Sequence, residues 1–361
     1  MMKDYLYSII TDNKKGIFVS LIKFYLFCLS LVYSELLRIV LLCFRLKIFK
    51  TYTLPFKVIS VGNITWGGTG KTPIVEFIAR YLINQGRRPA ILTRGYKRKS
   101  KISAKGRSAL GGKNQESKID YKIMGDEPYL LKQKLDIPVI VNSDRKKGAE
   151  IAKNKFNVDT IILDDGFQQF SIRKDLNILA IDALNPFGNF MVIPRGILRE
   201  PLSSIARADI IIISKSNLIK KENIDNIKKI IYKFNKKALI FEAAYELILP
   251  IIRENKICTI TSIASPLSFK NILLNSGFDI ILEFNFYDHY SFRKADIDKI
   301  VASCNMRNNK IIFTTEKDWV RLEQFKSIFD NAQIKIYILP LRIKIEDEAK
   351  LFSRIFTVYL G

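Results

Sequence analysis

A lysine and a hydroxyl at the end of a glycine-rich turn are groups that hold phosphates and a divalent cation. The chain carries this set in Thr65-Trp66-Gly67-Gly68-Thr69-Gly70-Lys71-Thr72. Backbone N–H groups of such a loop point inward at an anion, and a helix N-terminus adds positive potential there. Lys71 is then placed to reach β/γ-phosphates, and the Thr72 hydroxyl to ligate Mg²⁺. The strict phosphate-loop pattern has glycine five residues before Gly70, and this chain has Thr65. The flanking glycines and the Lys-Thr pair still read as a nucleotide phosphate site, against the bland reading of a glycine-rich strand-to-helix turn.

Further groups suit phosphoryl transfer. Ile161-Ile-Leu-Asp-Asp165 is an apolar run ending in two acids, as expected where Asp164 or Asp165 serves the metal beside a phosphate loop. Gly125-Asp126-Glu127-Pro128 opens a helix with two acids, which either compensate the helix dipole or supply a general base for a hydroxyl proton. His289, the single histidine, lies beside Asp288 in an aromatic segment, where burial and a carboxylate tune it or a structural role holds it. Arg145 and the segment Arg195-Gly-Ile-Leu-Arg-Glu-Pro201 offer guanidinium groups for bidentate oxyanion contacts, or simply surface charge.

These residues need a scaffold. Val58, Ile59 and Val61 predict a buried strand before the glycine loop, and Ile74, Phe77, Ile78 and Leu82 predict a helix after it. Strand candidates at 88–93, 139–141, 160–163, 178–181 and 209–213 alternate with helical patterns, which implies βαβ units and a parallel sheet with ligands at the strands' carboxyl ends. A lysine-rich connector beyond Ser216 leads to further strands at 238–241, 257–260, 311–314 and 334–339, so two α/β lobes with a cleft between them are expected. Lys97 to Lys122 is polar and basic and reads as a mobile loop.

The net charge of +24, from 59 Lys+Arg against 35 Asp+Glu, predicts anionic partners: nucleic acid, a membrane surface or phosphorylated substrates. Genomic base composition is an equal source of this lysine-rich bias. Cys28, Cys43, Cys258 and Cys304 have no metal-ligand spacing, and neither zinc nor disulfides are expected. From Gly16 to Phe49 the chain is strongly apolar, interrupted by Lys23, Glu35, Arg38 and Arg45. It reads as a helix in the membrane interface, with Lys14, Lys15, Arg45, Lys47 and Lys50 toward anionic headgroups; a true span and a helix packed on the protein's own core are the alternatives.

Taken together, the segments resemble the tetraacyldisaccharide 4′-kinase (lipid A 4′-kinase) family. The resemblance rests on Val61-Gly-Asn-Ile-Thr-Trp-Gly-Gly-Thr-Gly-Lys-Thr-Pro73, Thr93-Arg-Gly-Tyr96, Gly125-Asp-Glu-Pro128 and Leu163-Asp-Asp-Gly-Phe-Gln168. It continues through Leu198-Arg-Glu-Pro-Leu202, Arg207-Ala-Asp209, Phe286-Tyr-Asp-His289 and Thr315-Glu-Lys-Asp318. The family's loop characteristically lacks the first glycine. The resemblance implies ATP-dependent phosphorylation of the 4′-hydroxyl of a lipid A disaccharide 1-phosphate, at the cytoplasmic face of the bacterial inner membrane. It implies Thr65 to Thr72 around the ATP phosphates, with Lys71 also catalytic and Thr72, Asp164 and Asp165 at Mg²⁺. It further implies Asp126 as base with His289 as its dyad partner, and Arg145 and Glu200 at the substrate. Gln169 and Tyr290 stand where the family often has histidines, and Lys97 where glycine is common.

The expectation is therefore an α/β fold. A membrane-associated helix occupies 1–50, a P-loop kinase core with a mostly parallel sheet 51–215, and a smaller lobe closing the cleft 216–361. A monomer without nucleic-acid partners is expected. Membrane-associated ATPase switches have a related loop, but Trp66 replaces their signature lysine. Nucleic-acid binding through the net charge has no recognisable reading motif and would show steep salt dependence.

Overall fold

The computed structural model describes residues 8–95, 109–111 and 121–360. Its main elements begin with α1 (Ile17–Arg45), β1 (Lys57–Gly62), α2 (Lys71–Asn84), β2 (Pro89–Thr93), β3 (Ala109–Gly111), α3 (Asp126–Lys134) and β4 (Val139–Val141). Next come α4 (Arg145–Lys155), β5 (Thr160–Asp164), β6 (Leu176–Asp182), β7 (Ile210–Ser214), α5 (Lys221–Phe234) and β8 (Leu239–Leu247). The remainder is β9 (Lys256–Thr261), α6 (Pro266–Asn275), β10 (Asp279–Asn285), α7 (Lys294–Met306), β11 (Ile311–Thr315), α8 (Glu316–Leu322), β12 (Lys335–Leu339), β13 (Leu341–Ile345) and α9 (Glu348–Phe356).

The chain divides into two compact units, one of residues 1–94, 144–244 and 345–361, the other of 95–143 and 245–344. This differs from the expected split near Ser216. Residues 216–244 stay with the first unit because β7 and β8 pair in register from Ile210↔Leu239 to Ser214↔Ala243. Residues 345–361 return to it, where Phe352 stacks on Tyr81 of α2 at 3.8 Å.

In the first unit β8, β7, β6, β1, β5 and β2 lie side by side, and every pair is parallel. Strands flanked by helices on both faces have no wet side, and the uninterrupted runs Ile161-Ile-Leu163 and Ile210-Ile-Ile-Ile213 are buried accordingly. From β1 the chain crosses to β2 on one side and later returns to β6 on the other. The carboxyl end of β1 is therefore a topological switch point, the place where such sheets bind ligands. α2 packs Ile74, Val75, Ile78, Ala79 and Leu82 inward, the spacing of one helix face.

The second unit has its own parallel sheet, ordered β10-β9-β11-β12. β4, expected in a parallel sheet, pairs antiparallel with β3 in the register Ala109↔Val141 to Gly111↔Val139. β3 itself lies within the stretch read as a loop; most of Lys97–Lys122, with Tyr96, falls outside the described residues. β10 was not foreseen because its side chains are only half-buried and Asp279, Glu283 and Asn285 dilute the apolar pattern.

α1 is continuous through its charges. Lys23 pairs with Asp12, and Arg38 with Glu35 one turn away. It is long and apolar enough to cross a membrane by length and composition, at about 43 Å for 1.5 Å per residue. Only Val19 and Ser30 are buried, while Phe18, Leu21, Phe24, Leu31, Val32 and Leu36 are exposed. Packing on the protein's own core therefore accounts for one narrow strip of the helix.

Candidate functional site

The glycine loop leaves β1 at Gly62, and the reason for glycine there is a close approach. A Cβ on Gly62 would lie 2.5 Å from Phe167 N and 2.6 Å from Phe167 Cβ. The turn Asp165-Gly166-Phe167 thus passes against the end of β1, fastened by Gly166 N–H donating to Val61 O. Gly70, at φ 74°, forms the left-handed N-cap from which Lys71 and Thr72 open α2. Thr65 and Thr69 are buried, whereas Trp66 is 52% exposed. The Thr69 hydroxyl is buried without a hydrogen-bond partner among the described residues.

Lys71 Nζ lies 3.1 Å from Asn63 Oδ1 and 3.2 Å from Asp165 Oδ1. Arg199 Nη1 reaches both carboxylate oxygens of Asp165 at 3.0 Å. Burial pushes the Asp165 carboxyl upward, but Lys71 and Arg199 outweigh it and hold the group below the ordinary carboxylate range. Asp165 sits at φ 53°, a left-handed conformation that swings its carboxylate out of the line of β5. Asp164, the last residue of β5, is buried and accepts from Thr93 Oγ1 at 2.8 Å. Arg145, at the first turn of α4, is buried and donates from Nη2 to the Asp164 backbone carbonyl at 3.2 Å. Glu200 is fully buried and accepts from Gln168, Ser204 and Arg207. Its carboxylate is thus engaged from three sides, a bracing position behind the loop.

In the second unit Asp126 opens α3, where its charge also complements the helix dipole. His289 stands at φ 62° in the turn after β10, its N–H donating to Ser262 O at 3.2 Å. The pair found 163 residues apart in sequence meets here, with His289 Nδ1 3.0 Å from Asp126 Oδ2. Arg321 Nη1 lies 3.0 Å from the same oxygen, at ion-pair distance but not aligned as a hydrogen bond. Burial raises the Asp126 carboxyl, and His289, Arg321 and Lys317 more than offset it, so the group is held low and ionised.

Lys317 Nζ sits 3.3 Å from His289 Nε2, 3.0 Å from Glu127 and 3.5 Å from Asp288. Burial lowers this ammonium, but Glu127 and Asp288 prevail and raise it, so it stays charged. An ammonium has only protons to offer, so Nε2 acts as acceptor toward Lys317 and the Nδ1 proton is the one given to Asp126. Tyr290 is packed in place, 4.7 Å from the Phe286 ring, with its hydroxyl donating to Asp296 at 2.9 Å. Gln169 donates to Ser171 Oγ at 2.7 Å. Both positions carry local structure here.

Sequence reasoning offered Arg199 only as one of several guanidiniums suited to oxyanion contacts and gave no role to Lys317 or Arg321. Arg199 and Lys317 lie inside quoted segments. Arg321 carries a usable signal, since an arginine three residues after Asp318 on a helix shares its face.

A glycine loop ending in Lys-Thr at the switch point of a parallel sheet defines a P-loop kinase core of the α/β class. The chain belongs to the family described as Tetraacyldisaccharide-1-P 4'-kinase, whose match runs over residues 22–359. It is 32% identical to the Tetraacyldisaccharide 4'-kinase of Halothermothrix orenii, covering 97% of this chain and 96% of that one. It is 29% identical to the Probable tetraacyldisaccharide 4'-kinase, mitochondrial, of Arabidopsis thaliana, over 93% and 90% of the two chains. Among solved structures it resembles LpxK from Aquifex aeolicus in complex with ATP, with a TM-score of 0.72, 27% identity, and 93% and 99% of the chains covered.

Proposed function

We propose that this protein transfers the γ-phosphoryl group of ATP to the 4′-hydroxyl of a tetraacylated disaccharide 1-phosphate, the lipid A precursor. The observation that carries the reading is the Lys71 ammonium, held by Asn63 and Asp165 at the end of the glycine loop. A lysine so placed neutralises phosphate charge as it develops, and phosphoryl transfer asks a protein for little beyond positioning and such neutralisation. The orphaned Thr69 hydroxyl within the loop supports an anionic ligand there. Thr65, Trp66, Gly67, Gly68, Gly70 and Thr72 supply the rest of the cradle.

Thr72, Asp164 and Asp165 present the hard oxygen donors that Mg²⁺ takes. Mg²⁺ is commonly held in this way, through one or two carboxylates together with phosphates and water. When bound, the ion neutralises charge on the β/γ-oxygens. Arg199 keeps Asp165 ionised and oriented toward Lys71.

Asp126 accepts the proton of the sugar hydroxyl. Among the described residues His289 and Arg321 both meet Asp126 at Oδ2, so Oδ1 is the oxygen that faces the substrate in this reading. His289 fixes the orientation of Asp126 through Nδ1–H, and Lys317 fixes the tautomer of His289. Arg145 and Glu200 act by bracing Asp164 and the loop, rather than by contacting the sugar. The exposed apolar face of α1 lies at the bilayer that holds the acylated substrate, with Lys14, Lys15 and Arg45 at its ends.

Transfer of ³²P from ATP to a lipid A disaccharide 1-phosphate tests the reading. Wild type transfers label and Asp126→Ala loses roughly 10²–10⁴-fold, the usual contribution of a positioned base. Absence of transfer by wild type refutes the function, and full activity of the variant refutes the base.

A further inference from the structure

Apart from Lys23, which meets Asp12 and Lys14 just ahead of the helix, the polar contacts of α1 with its unit among the described residues fall on one segment. The Ser30 hydroxyl accepts from Arg195 N–H at 2.9 Å and lies 2.9 Å from both Val192 O and Leu26 O, which share its proton. One turn further, Tyr33 Oη donates to Arg199 O at 2.8 Å. The segment between these contacts is folded on itself, with Ile193 N–H donating to Leu198 O and Gly196 N–H to Val192 O. It then runs beside the start of the phosphate loop. Arg199 N–H donates to Ile64 O at 2.7 Å, and Trp66 N–H donates to Ile197 O at 2.6 Å, an antiparallel bridge centred on Thr65 and Leu198.

Arg199 is thus held by the peptides on both sides of its Cα. Its N–H is spent on Ile64, at the start of the loop, and its carbonyl on Tyr33 of the helix. Its side chain binds Asp165, which in turn pairs with Lys71. The Tyr33 ring packs against the buried cluster that contains Ile64, Phe167, Leu198 and Ile205. Burial and the nearby Glu200 carboxylate push its phenol upward, so it remains a donor throughout the working range of pH.

We propose that Tyr33 is a positioning residue for the nucleotide: α1, besides meeting lipid, braces the 192–199 segment so that Arg199 and the phosphate loop hold their ATP-binding register. Fixing the peptide planes on both sides of the Arg199 Cα, one through its N–H and the next through its carbonyl, restricts its φ and ψ, and the guanidinium on Asp165 inherits the constraint. Without the Tyr33 bond the 199–200 peptide is free to turn about ψ of Arg199, and Asp165 and Lys71 lose a fixed partner. The proposal rests on the reading of Lys71 and Asp165 as phosphate-site residues.

The test uses the full chain in detergent, with Tyr33→Phe, which keeps the ring and removes one hydroxyl. Affinity for a fluorescent N-methylanthraniloyl ATP is measured without acceptor lipid, and KM is measured for ATP and for acceptor separately. The expected result is nucleotide binding weakened about fivefold, the effect of one ordinary hydrogen bond, with acceptor KM within twofold of wild type. Tyr25→Phe, on the exposed side of the same helix, leaves all three values unchanged. A nucleotide Kd within twofold of wild type in Tyr33→Phe overturns the proposal, as does an equal loss for both substrates. Asp165→Asn separates the two readings. If it weakens nucleotide binding and Tyr33→Phe does not, the brace alone is wrong; if it leaves binding intact, the phosphate-site assignment fails.

Discussion

Replacing Arg321 by methionine removes a guanidinium that is 2% exposed and lies 2.6 Å from Asp318, whose carboxylate is fully buried. Asp318 keeps its hydrogen bonds from Ser262 N–H and Ser262 Oγ, but its charge loses the only cation within ion-pair distance among the described residues. Breaking a buried pair by deleting one member costs about 3–5 kcal/mol, because the remaining charge is uncompensated. Arg321 Nε and Nη1 have no aligned hydrogen-bond partners, which places the expected loss at the low end, about 3 kcal/mol. For a unit of this size that is a fall in Tm of roughly 10 °C.

Asp126 loses a cation 3.0 Å away in the same variant. Even at a water-like dielectric of ~80, a unit charge at that distance is worth about 1.4 kcal/mol, or about one pKa unit. The Asp126 carboxyl, held low in the parent, therefore rises. If Asp126 is the base, as proposed, it must be unprotonated to act, so the acidic limb of the kcat/KM profile moves up by at least about one pH unit. The same group contributes stability above its unfolded pKa that disappears as pH falls through the lower folded value, so part of the parent's acid resistance goes as well. Urea unfolding of the parent, Arg321→Met, Asp318→Asn and the double variant, with pH–rate profiles of the first two, measures both effects. The double variant is expected to regain on the order of 2 kcal/mol, since the orphaned charge is gone. A single-variant loss under about 1 kcal/mol, or an acidic limb that stays in place, refutes the reasoning.

Two other perturbations separate packing from charge. Gly62→Ala drives a Cβ into the Phe167 backbone; it is expected to cost about 1–3 kcal/mol and to weaken nucleotide binding by displacing Asp165, as equilibrium unfolding and ATP titration report. Lys174 is pushed down to about 7, first by burial and then by Arg207, so between about pH 7 and 10.5 the unfolded chain holds a proton that the folded chain does not. Stability from this group therefore rises with pH across that window. Lys174→Met, which also gives up a hydrogen bond to Phe167 O, is expected to look better relative to the parent at pH 6 than at pH 9 by on the order of 2 kcal/mol; a difference independent of pH counts against the assignment.

Strands buried on both faces were legible as apolar runs, and the glycine loop announced itself because Gly70, Lys71 and Thr72 are constrained locally by one turn. The pairing of Asp126 with His289 was legible only from a recurring set of segments. Nothing in either neighbourhood encodes a partner 163 residues away. The second unit's two-part make-up was opaque for the same reason: strands of one sheet need share no local pattern with the residues 95–143 that join them. Arg199 stood among the candidate oxyanion clamps, but its contacts with Asp165 and Tyr33 come from what its backbone and its guanidinium hold at once, which a residue type does not reveal. Tyr290 and Gln169 drew attention as departures, yet each has a local partner, Asp296 for the Tyr290 hydroxyl and Ser171 for Gln169.

The 163-residue separation of Asp126 and His289 also has a meaning in time. At about 5–20 residues per second, a ribosome delivers His289 roughly 8 to 30 seconds after Asp126. The segment that closes the first unit, from Ile345 onward, follows later still. The lipophilic leader α1 is out long before either. In the proposed reading, a nascent chain thus has that interval to meet a bilayer through α1 before its proton acceptor gains its imidazole.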